Sequence, residues 1–211
     1  MKTLLRIDCS SRTEGSYSRT LADHFERVWR EVNTGGKVIY RDLVKYPLPH
    51  IHSDTIVAFH TPAGERSPSA AVAVKLSDKL IGELKSADEL VISSPLYNLN
   101  IPSSLKAYID QITRSGHTFG LGENGYYGLL NDKKACLITA KGSEYKGTAM
   151  EPLDFQEPYL KAILNFIGIE VQKVFSWEGT GIESTVAKRR ESLEREIENY
   201  FMTAATKEVR S

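Results

Sequence analysis

The chain has 211 residues, and its 27 lysines and arginines balance 27 aspartates and glutamates, so the formal net charge is zero. A neutral chain has no basic field with which to bind nucleic acid or an anionic membrane surface. No stretch approaches the ~20 apolar residues that a membrane-spanning helix needs. The two cysteines lie at or in predicted strands and are typical of a reducing compartment. We therefore expect a cytoplasmic protein that forms a single domain over residues 1–211.

Apolar runs typical of strands alternate with helical patterns along the chain. Strands are predicted over residues 3–8, 37–42, 89–93, 133–140 and 171–177. Apolar side chains recur on one helical face in five stretches, residues 21–32, 72–84, 105–112, 160–167 and 184–201. We expect these faces, which include Val32 in the first stretch and Val72 in the second, to be buried. Ser67 followed by Pro68 predicts the start of the second helix, because serine is a favoured cap and proline suits the first helical position.

Five strands alternating with five helices predict an α/β fold, a doubly wound five-stranded parallel sheet with helices on both faces. In the strand order 2-1-3-4-5, the carboxyl ends of strands one, three and four are neighbours at one edge of the sheet. Ligands of open α/β sheets bind at that edge. Two loops exceed this pattern, residues 47–66 and the glycine-rich residues 116–131, and long loops in a compact domain are usually functional or flexible.

Hydroxyl groups cluster where the first strand ends and the first helix begins. Ser10 follows the strand, and Ser16, Tyr17 and Ser18 come directly before the helical pattern. Hydroxyls and the free N–H groups of a helix N-terminus together predict a site for a phosphate monoester that needs no lysine or arginine. The alternative, that Ser16 or Ser18 only caps the helix, stays open, since capping is the commoner use of such residues.

Two motifs suggest other functions but lack the context that those functions require. Cys9 stands at the strand end where low-molecular-weight phosphatases carry their nucleophile, but the arginine that they need six positions later is replaced by Gly15. The string GLGENG, residues 120–125, matches a dinucleotide-binding motif, but no predicted strand precedes it and no helix follows it. We interpret it as a glycine-rich turn between short extended segments.

The loops after strands three and four suit a flat ligand. The third strand runs into residues 95–101, PLYNLNI, which offer an aromatic ring and exposed backbone amides, and the fourth ends in Ala140, Lys141, Gly142 and Ser143. A ligand with a phosphate at the first loop and a ring system between these two would fit this edge. The histidines are weaker signals: His50 and His52 predict a solvent-exposed pair rather than a metal site, and His117 is a candidate for facing the pocket.

These residues resemble the FMN-dependent NADH-azoreductase (NADH:quinone oxidoreductase) family of bacteria, and the resemblance covers almost the whole chain. Its most specific part is residues 95–101, similar to the family's P-M-Y-N-F-N-I loop around the isoalloxazine ring, with leucines in place of the methionine and phenylalanine. Residues 117–129 are similar to the family's G-V-T-F followed by E-N-G-x-x-G-L. The loop after strand four departs from the family's S-R-G-G, since Ala140, Lys141 and Ser143 replace Ser, Arg and Gly.

The resemblance implies a flavodoxin-like fold, tightly but non-covalently bound FMN, and a ping-pong reaction that carries two electrons from NADH to quinones or azo compounds. FMN contacts are implied at Ser10, Ser16, Tyr17, Ser18, Leu96, Tyr97, Asn98, Leu99, Ala140, Lys141, Gly142 and Ser143. Substrate contacts are implied at His117 and Phe119. No acid–base residue is assigned, because solvent can supply protons. Members of the family are homodimers with sites at the subunit interface, which agrees with the excess of apolar residues in the fourth helical stretch.

A flavodoxin-type electron carrier, which binds FMN without turning over a substrate of its own, is the alternative from another functional class. Such carriers are shorter and strongly acidic, which suits docking on redox partners. This chain is neutral, and its two long loops suit a covered substrate site. The sequence therefore favours an enzyme.

Overall fold

The computed structural model describes residues 1–208, which contain a five-stranded parallel sheet and a separate two-stranded hairpin. The strands are β1 (Thr3–Asp8), β2 (Lys37–Asp42), β3 (Glu89–Pro95), β4 (Phe119–Gly122), β5 (Gly125–Gly128), β6 (Lys134–Ala140) and β7 (Glu170–Trp177). The sheet has the order β2-β1-β3-β6-β7, and every neighbouring pair in it is parallel. The predicted fold class and strand order are confirmed.

The helices are α1 (Tyr17–Val32), α2 (Ser53–His60), α3 (Pro68–Ser86), α4 (Ser103–Ile112), α5 (Gln156–Phe166) and α6 (Glu183–Glu208). All five predicted helices are present, and α3 begins as predicted, with Ser67 Oγ accepting the Ala70 N–H at 3.2 Å. The sequence does not predict α2, which has only eight residues. It packs through Ala58 against Ala70 and Val74 of α3, and isolated helices this short depend on such tertiary contacts.

Apolar side chains cover both faces of the sheet. The helices α3, α4 and α5 pack on one face through residues such as Leu80, Leu105 and Leu160, whereas α1 and α6 pack on the other through Phe25 and Ile197. Burial from two sides explains why the central strands β1, β3 and β6 are buried along almost their whole length, whereas the edge strands β2 and β7 are not. No helix in residues 1–208 combines the length and the apolar character that crossing a membrane requires.

Two residues assigned from the sequence to buried helical faces are exposed. Val32 at the end of α1 is 46% exposed to solvent, and Val72 in α3 is 64% exposed. In the first turns of α3 the buried residues are Ala70 and Val74, each two positions, or about 200°, around the helix from Val72. The assignment of Val72 is wrong because α2 packs on this end of α3 and buries the face with Ala70 and Val74. The sequence pattern does not predict α2 and so does not predict which face it covers.

The hairpin of β4 and β5 occupies most of residues 116–131, and its strands pair antiparallel from Phe119 with Gly128 to Gly122 with Gly125. The interpretation of GLGENG as a turn between extended segments is confirmed, because neither strand joins the parallel sheet and β6 rather than a helix follows. The hairpin packs closely on the turn before β7, where a Cβ added at Gly128 would lie 2.1 Å from the Gly168 nitrogen.

Replacing Gly128 with alanine should destabilise the fold, because the new methyl group would overlap the backbone of Gly168. Overpacking of this kind costs about 1–3 kcal/mol or more. Gly122→Ala is the matched control on the same hairpin, since its nearest neighbour would be Tyr127 Cε1 at 3.4 Å. Urea unfolding measures both variants, and equal midpoints would contradict the close approach of hairpin and turn.

Candidate functional site

Three polar loops meet at the carboxyl edge of the sheet. The register pairs Asp8 at the end of β1 with Ser93, and Pro95 at the end of β3 with Ala140 of β6. The strand β3 runs two residues beyond its predicted end, because Leu96 continues the ladder by donating its N–H to the Ala140 carbonyl at 2.8 Å. The predicted adjacency of the three strand ends is therefore confirmed.

The first loop leads into the N-terminus of α1. Ser16 caps this helix, with its Oγ 3.4 Å from the Arg19 N–H and 3.4 Å from Ser18 Oγ, and both serines are buried. The cap leaves the N–H groups of Tyr17 and Ser18 in the first turn, where no carbonyl of the helix can accept them. Capping and anion binding are thus compatible here, since the helix dipole and the remaining donors both favour a negative group.

Two arginines lie close to the first loop, although the sequence interpretation treated its anion site as independent of any cation. Arg19 donates to the Ser10 carbonyl at 3.0 Å and to Asp42 at 2.6 Å, so its guanidinium joins the loop to the end of β2. Burial opposes ionisation of Asp42, but Arg19 and two backbone N–H groups hold its pKa at about 2. Arg12 lies at the exposed rim of the loop, and its guanidinium is 6.0 Å from the Tyr17 ring centroid. The sequence pattern did not predict a role for either arginine.

Cys9 lies below this loop as a buried thiol. Its Sγ donates to the Ser93 carbonyl at 2.9 Å. Burial raises the pKa of the Cys9 thiol to about 12, so the thiolate that a nucleophile requires is disfavoured at neutral pH. This environment agrees with the rejection of a phosphatase mechanism.

The second loop holds two residues in an unusual backbone conformation. Asn98 and Leu99 have φ angles of 49° and 68°, a left-handed region that few non-glycine residues adopt. Paired hydrogen bonds between Tyr97 and Asn100, at 2.8 and 3.0 Å, and a bond from the Phe155 N–H to the Leu99 carbonyl at 3.0 Å, hold the turn. Among the described residues, neither the Asn98 N–H nor the Leu99 N–H has a protein acceptor. Both donors are therefore available to a ligand at this edge.

The third loop follows β6 and combines a buried side chain with an open backbone. Lys141 is buried, and its ammonium lies 2.6 Å from Asp154 Oδ2 and 3.0 Å from Glu178 Oε1. Burial opposes the charged form, but Asp154 and Glu178 outweigh it and raise the pKa of Lys141. Gly142 faces open space, since no atom lies within 4 Å of an ideal Cβ at this position. A flat ligand can approach the backbone here, whereas the Lys141 ammonium is held by carboxylates.

The predicted substrate residues lie apart from these loops within one chain. His117 lines a cavity of about 610 Å³ together with Arg66 and Arg114, and burial and the nearby Arg114 lower its pKa. Phe119 packs against Phe166, close to the amino end of β7, whereas the three loops stand at carboxyl ends. The structure brings together the predicted residues of the first, second and third loops, but it does not bring His117 and Phe119 to them.

Three residues that support the second and third loops were not predicted from the sequence. They are Asp154 and Phe155, which precede α5, and Glu178, which follows β7. Glu178 carried a usable signal, because β7 is parallel to β6 and ends at the same edge of the sheet. Asp154 and Phe155 carried none, since they lie before a helix and reach the loops only through the tertiary fold.

Comparison with known proteins identifies relatives along most of the chain. Residues 1–201 match a family described as having a flavodoxin-like fold. The chain is 46% identical over 166 residues to FMN-dependent NADH:quinone oxidoreductase 1 of Trichormus variabilis, which covers 79% of each chain. It is 40% identical over 200 residues to the FMN-dependent NADH:quinone oxidoreductase of Hydrogenovibrio crunogenus, which covers 94% of this chain and 99% of the relative.

Solved structures agree with these sequence relatives. An azoreductase from Bacillus anthracis superposes with a TM-score of 0.88 at 27% identity, covering 95% of this chain and 98% of that one. An FMN-dependent NADH-azoreductase from the same species, in complex with FMN, superposes with a TM-score of 0.83 at 25% identity and covers 95% of this chain and 99% of that one.

Replacing Ser16 with alanine should weaken the binding of FMN by roughly one to two orders of magnitude, because a hydrogen bond to a charged group contributes about 1.5–3 kcal/mol. Ser16→Asp should abolish retention of FMN, since two negative groups would share one site. Flavin fluorescence quenching on titration of the apoprotein measures both effects.

Ser67→Ala is the matched control, because Ser67 caps α3 in the same way as Ser16 caps α1. Loss of either cap costs about 1 kcal/mol of stability, but only the change at Ser16 should affect FMN. Full retention of FMN by Ser16→Asp after dialysis would exclude this loop as the phosphate site.

Proposed function

The chain belongs to the flavodoxin-like fold family and, within it, to the FMN-dependent NADH:quinone oxidoreductases, and on this premise we propose that it uses bound FMN to carry two electrons from NADH to quinones or azo compounds. The observation that carries the proposal is the meeting of three loops at one sheet edge, with the left-handed turn at Asn98 and Leu99 as its most specific element. The names of the relatives favour an enzyme over a flavodoxin-type carrier.

The residues at this edge fit FMN part by part. The capped N-terminus of α1, with buried hydroxyls at Ser16 and Ser18, suits the phosphate. The free N–H groups of the turn at Asn98 suit the acceptor atoms along one edge of the ring system. The open backbone at Gly142 suits the close approach of a flat heterocycle. These three features support a single ligand with a phosphate at one end and a planar ring at the other.

FMN, when bound, supplies the redox chemistry, taking hydride from NADH and passing electrons to the acceptor, so the protein's contribution is binding and orientation. The amides of Asn98 and Leu99 orient the ring through its polar edge. The backbone N–H groups of Gly142 and Ser143, which have no acceptor among the described residues, would be the donors that stabilise negative charge on the ring. Protons for the product come from solvent, since no acid–base residue is assigned.

We further propose that the functional unit is a homodimer. The β4–β5 hairpin exposes Leu121, Tyr126 and Tyr127, and Tyr126 keeps 65% of its surface. Exposed aromatic side chains grouped on one element are typical of interaction surfaces. A second copy that covered the hairpin would allow His117 and Phe119 to contribute to a substrate pocket beside the partner's loops. The free, buried thiols of the chain support a location in the reducing cytoplasm.

FMN-loaded protein alone should oxidise NADH in the presence of a benzoquinone or an azo dye. Because two substrates use one flavin face in turn, double-reciprocal plots should give parallel lines, and NADH and the acceptor should each inhibit competitively at high concentration. Steady-state rates over a grid of both concentrations make the measurement, and NADH should bleach the flavin absorption anaerobically. Turnover no faster than that of free FMN at equal concentration would contradict an oxidoreductase and favour a carrier.

Tyr126→Glu should weaken the proposed dimer at least about 30-fold, because losing an aromatic anchor from an interface costs about 2 kcal/mol or more. Sedimentation velocity over a range of concentrations measures the change. Val32→Glu provides the control, since it charges an exposed apolar residue of α1 on the opposite face of the sheet. If both variants sediment as the unmodified protein does, the hairpin is not the interface.

A further inference from the structure

The side chain of Lys141 is the most deeply buried cation at the carboxyl edge of the sheet. It is 2% exposed, and its ammonium contacts Asp154 at 2.6 Å and Glu178 at 3.0 Å. Glu157 lies further away, at 4.0 Å, and its charge is balanced by Lys161 at 2.7 Å. Long charged side chains are seldom buried without partners. These three groups, Lys141, Asp154 and Glu178, form a compact cluster that we call the ion triad.

Glu178 connects the triad to the loop after β6. Its Oε1 accepts the Lys141 ammonium, while its Oε2 accepts the N–H groups of Tyr145 and Lys146 at 2.8 and 3.1 Å. The following segment continues the contact, since the N–H groups of residues 179, 180 and 181 donate to the carbonyls of residues 143, 141 and 142 at 3.0–3.1 Å. The path of residues 141–146 is therefore determined by residues after β7.

Asp154 connects the same ammonium to the loop after β3. While its Oδ2 contacts Lys141, its Oδ1 accepts the Gln156 N–H at 3.0 Å and so starts α5. The residue between them, Phe155, donates its N–H to Leu99 at 3.0 Å. Gln156 Nε2 donates to the Ser94 carbonyl at 3.1 Å. The segment that holds the left-handed turn is thus anchored by the triad.

We infer that the ion triad positions the two ring-binding loops, residues 96–99 and 140–143, relative to each other, and that its net charge of −1, from one ammonium and two carboxylates, tunes the relative affinity for oxidised and reduced FMN. The inference rests on the proposed function, because it assumes that FMN binds between these loops. Asp154 and Glu178 are positioning residues, since they act through the loops that they hold.

The charge effect follows from electrostatics in a poorly screened site. Reduced FMN carries more negative charge than oxidised FMN. A nearby net negative charge therefore weakens the binding of reduced FMN more than the binding of oxidised FMN. Buried charges are screened by salt much less than exposed ones. Burial opposes ionisation of Glu178, but the N–H groups of Tyr145 and Lys146 and the Lys141 ammonium outweigh it and lower the pKa of Glu178, so the carboxylate stays charged. If the triad only positioned the loops, a change in it would weaken the binding of oxidised and reduced FMN equally.

The variants Glu178→Gln and Lys141→Met distinguish the effect of loop position on FMN binding from the effect of charge. Each change loosens the loops, so each should raise the dissociation constant of oxidised FMN about tenfold, the effect of losing one hydrogen bond to a charged group. The ratio of the dissociation constant for reduced FMN to that for oxidised FMN should change in opposite directions in the two variants. It should fall about threefold or more in Glu178→Gln, where negative charge is removed, and rise by a similar factor in Lys141→Met, where the ammonium is removed.

The measurements are flavin fluorescence titration for oxidised FMN and the midpoint potential of the bound flavin, which gives the ratio by linkage. Thermal unfolding of the apoproteins reports folding separately. Lys173→Met and Glu196→Gln are the matched controls, because this pair is joined at 2.7 Å on the exposed surface. Neither control should change the affinity or the ratio. Lys141→Arg keeps the charge and should retain the unmodified ratio.

Different results would overturn different statements. If the unmodified protein binds no FMN, the proposed function is wrong. If it binds FMN and Glu178→Gln leaves both affinity and ratio unchanged, the inference about the triad is wrong while the function stands. If Lys141→Met fails to fold, Glu178→Gln and Lys141→Arg decide: a lowered ratio in the first and an unchanged ratio in the second support the charge effect, and any other pairing contradicts it.

Discussion

The parallel hydrogen bonding of β1, β3 and β6 is the constraint on which the rest of this structure depends. Because the three strands run in one direction, the polar segments that follow them emerge at one edge of the sheet. Because helices bury both faces of the sheet, a ligand can approach the strands only beyond their ends. A helix N-terminus, a left-handed turn and an open glycine are thereby gathered from distant parts of the chain. The proposed cofactor site is a consequence of strand direction.

Paired charges, buried at Lys141 and half-buried at Arg19, give the loops their shape. Arg19 joins the first loop to Asp42 at the end of β2, and Lys141 joins the third loop to Asp154 and Glu178. Such groups are tolerated because each is paired, and removing one partner of a buried pair costs about 3–5 kcal/mol. Their arrangement leaves free the backbone amides that face the edge. Side-chain electrostatics here organises the backbone, and the backbone would bind the ligand.

Features set by local sequence could be predicted, whereas those set by contacts between distant segments could not. The loops that carry Ser16, Asn98 and Gly142 were predicted, because periodicity marks strands and helices, and the direction of parallel strands then brings the loops that follow them together. Lys141 was predicted as part of the third loop, but its ion pairs with Asp154 and Glu178 were not predicted. Val72 was assigned to a buried face wrongly, because a helix that the sequence did not predict covers its neighbours.

The sequence by itself determined the α/β class, the strand order, the cap of α3 and the loops in which a phosphate and a flat ring would be held. The strand order rests on the resemblance to a known family, whereas the other features follow from local chemistry, namely side-chain periodicity, capping preferences and the fixed direction of the chain. Only the tertiary structure decided that Phe155 holds Leu99, that Glu178 holds residues 145 and 146, and that His117 lies away from the loops of its own chain. Such contacts join segments far apart in sequence, and their free energy comes from burial and pairing that no local pattern records.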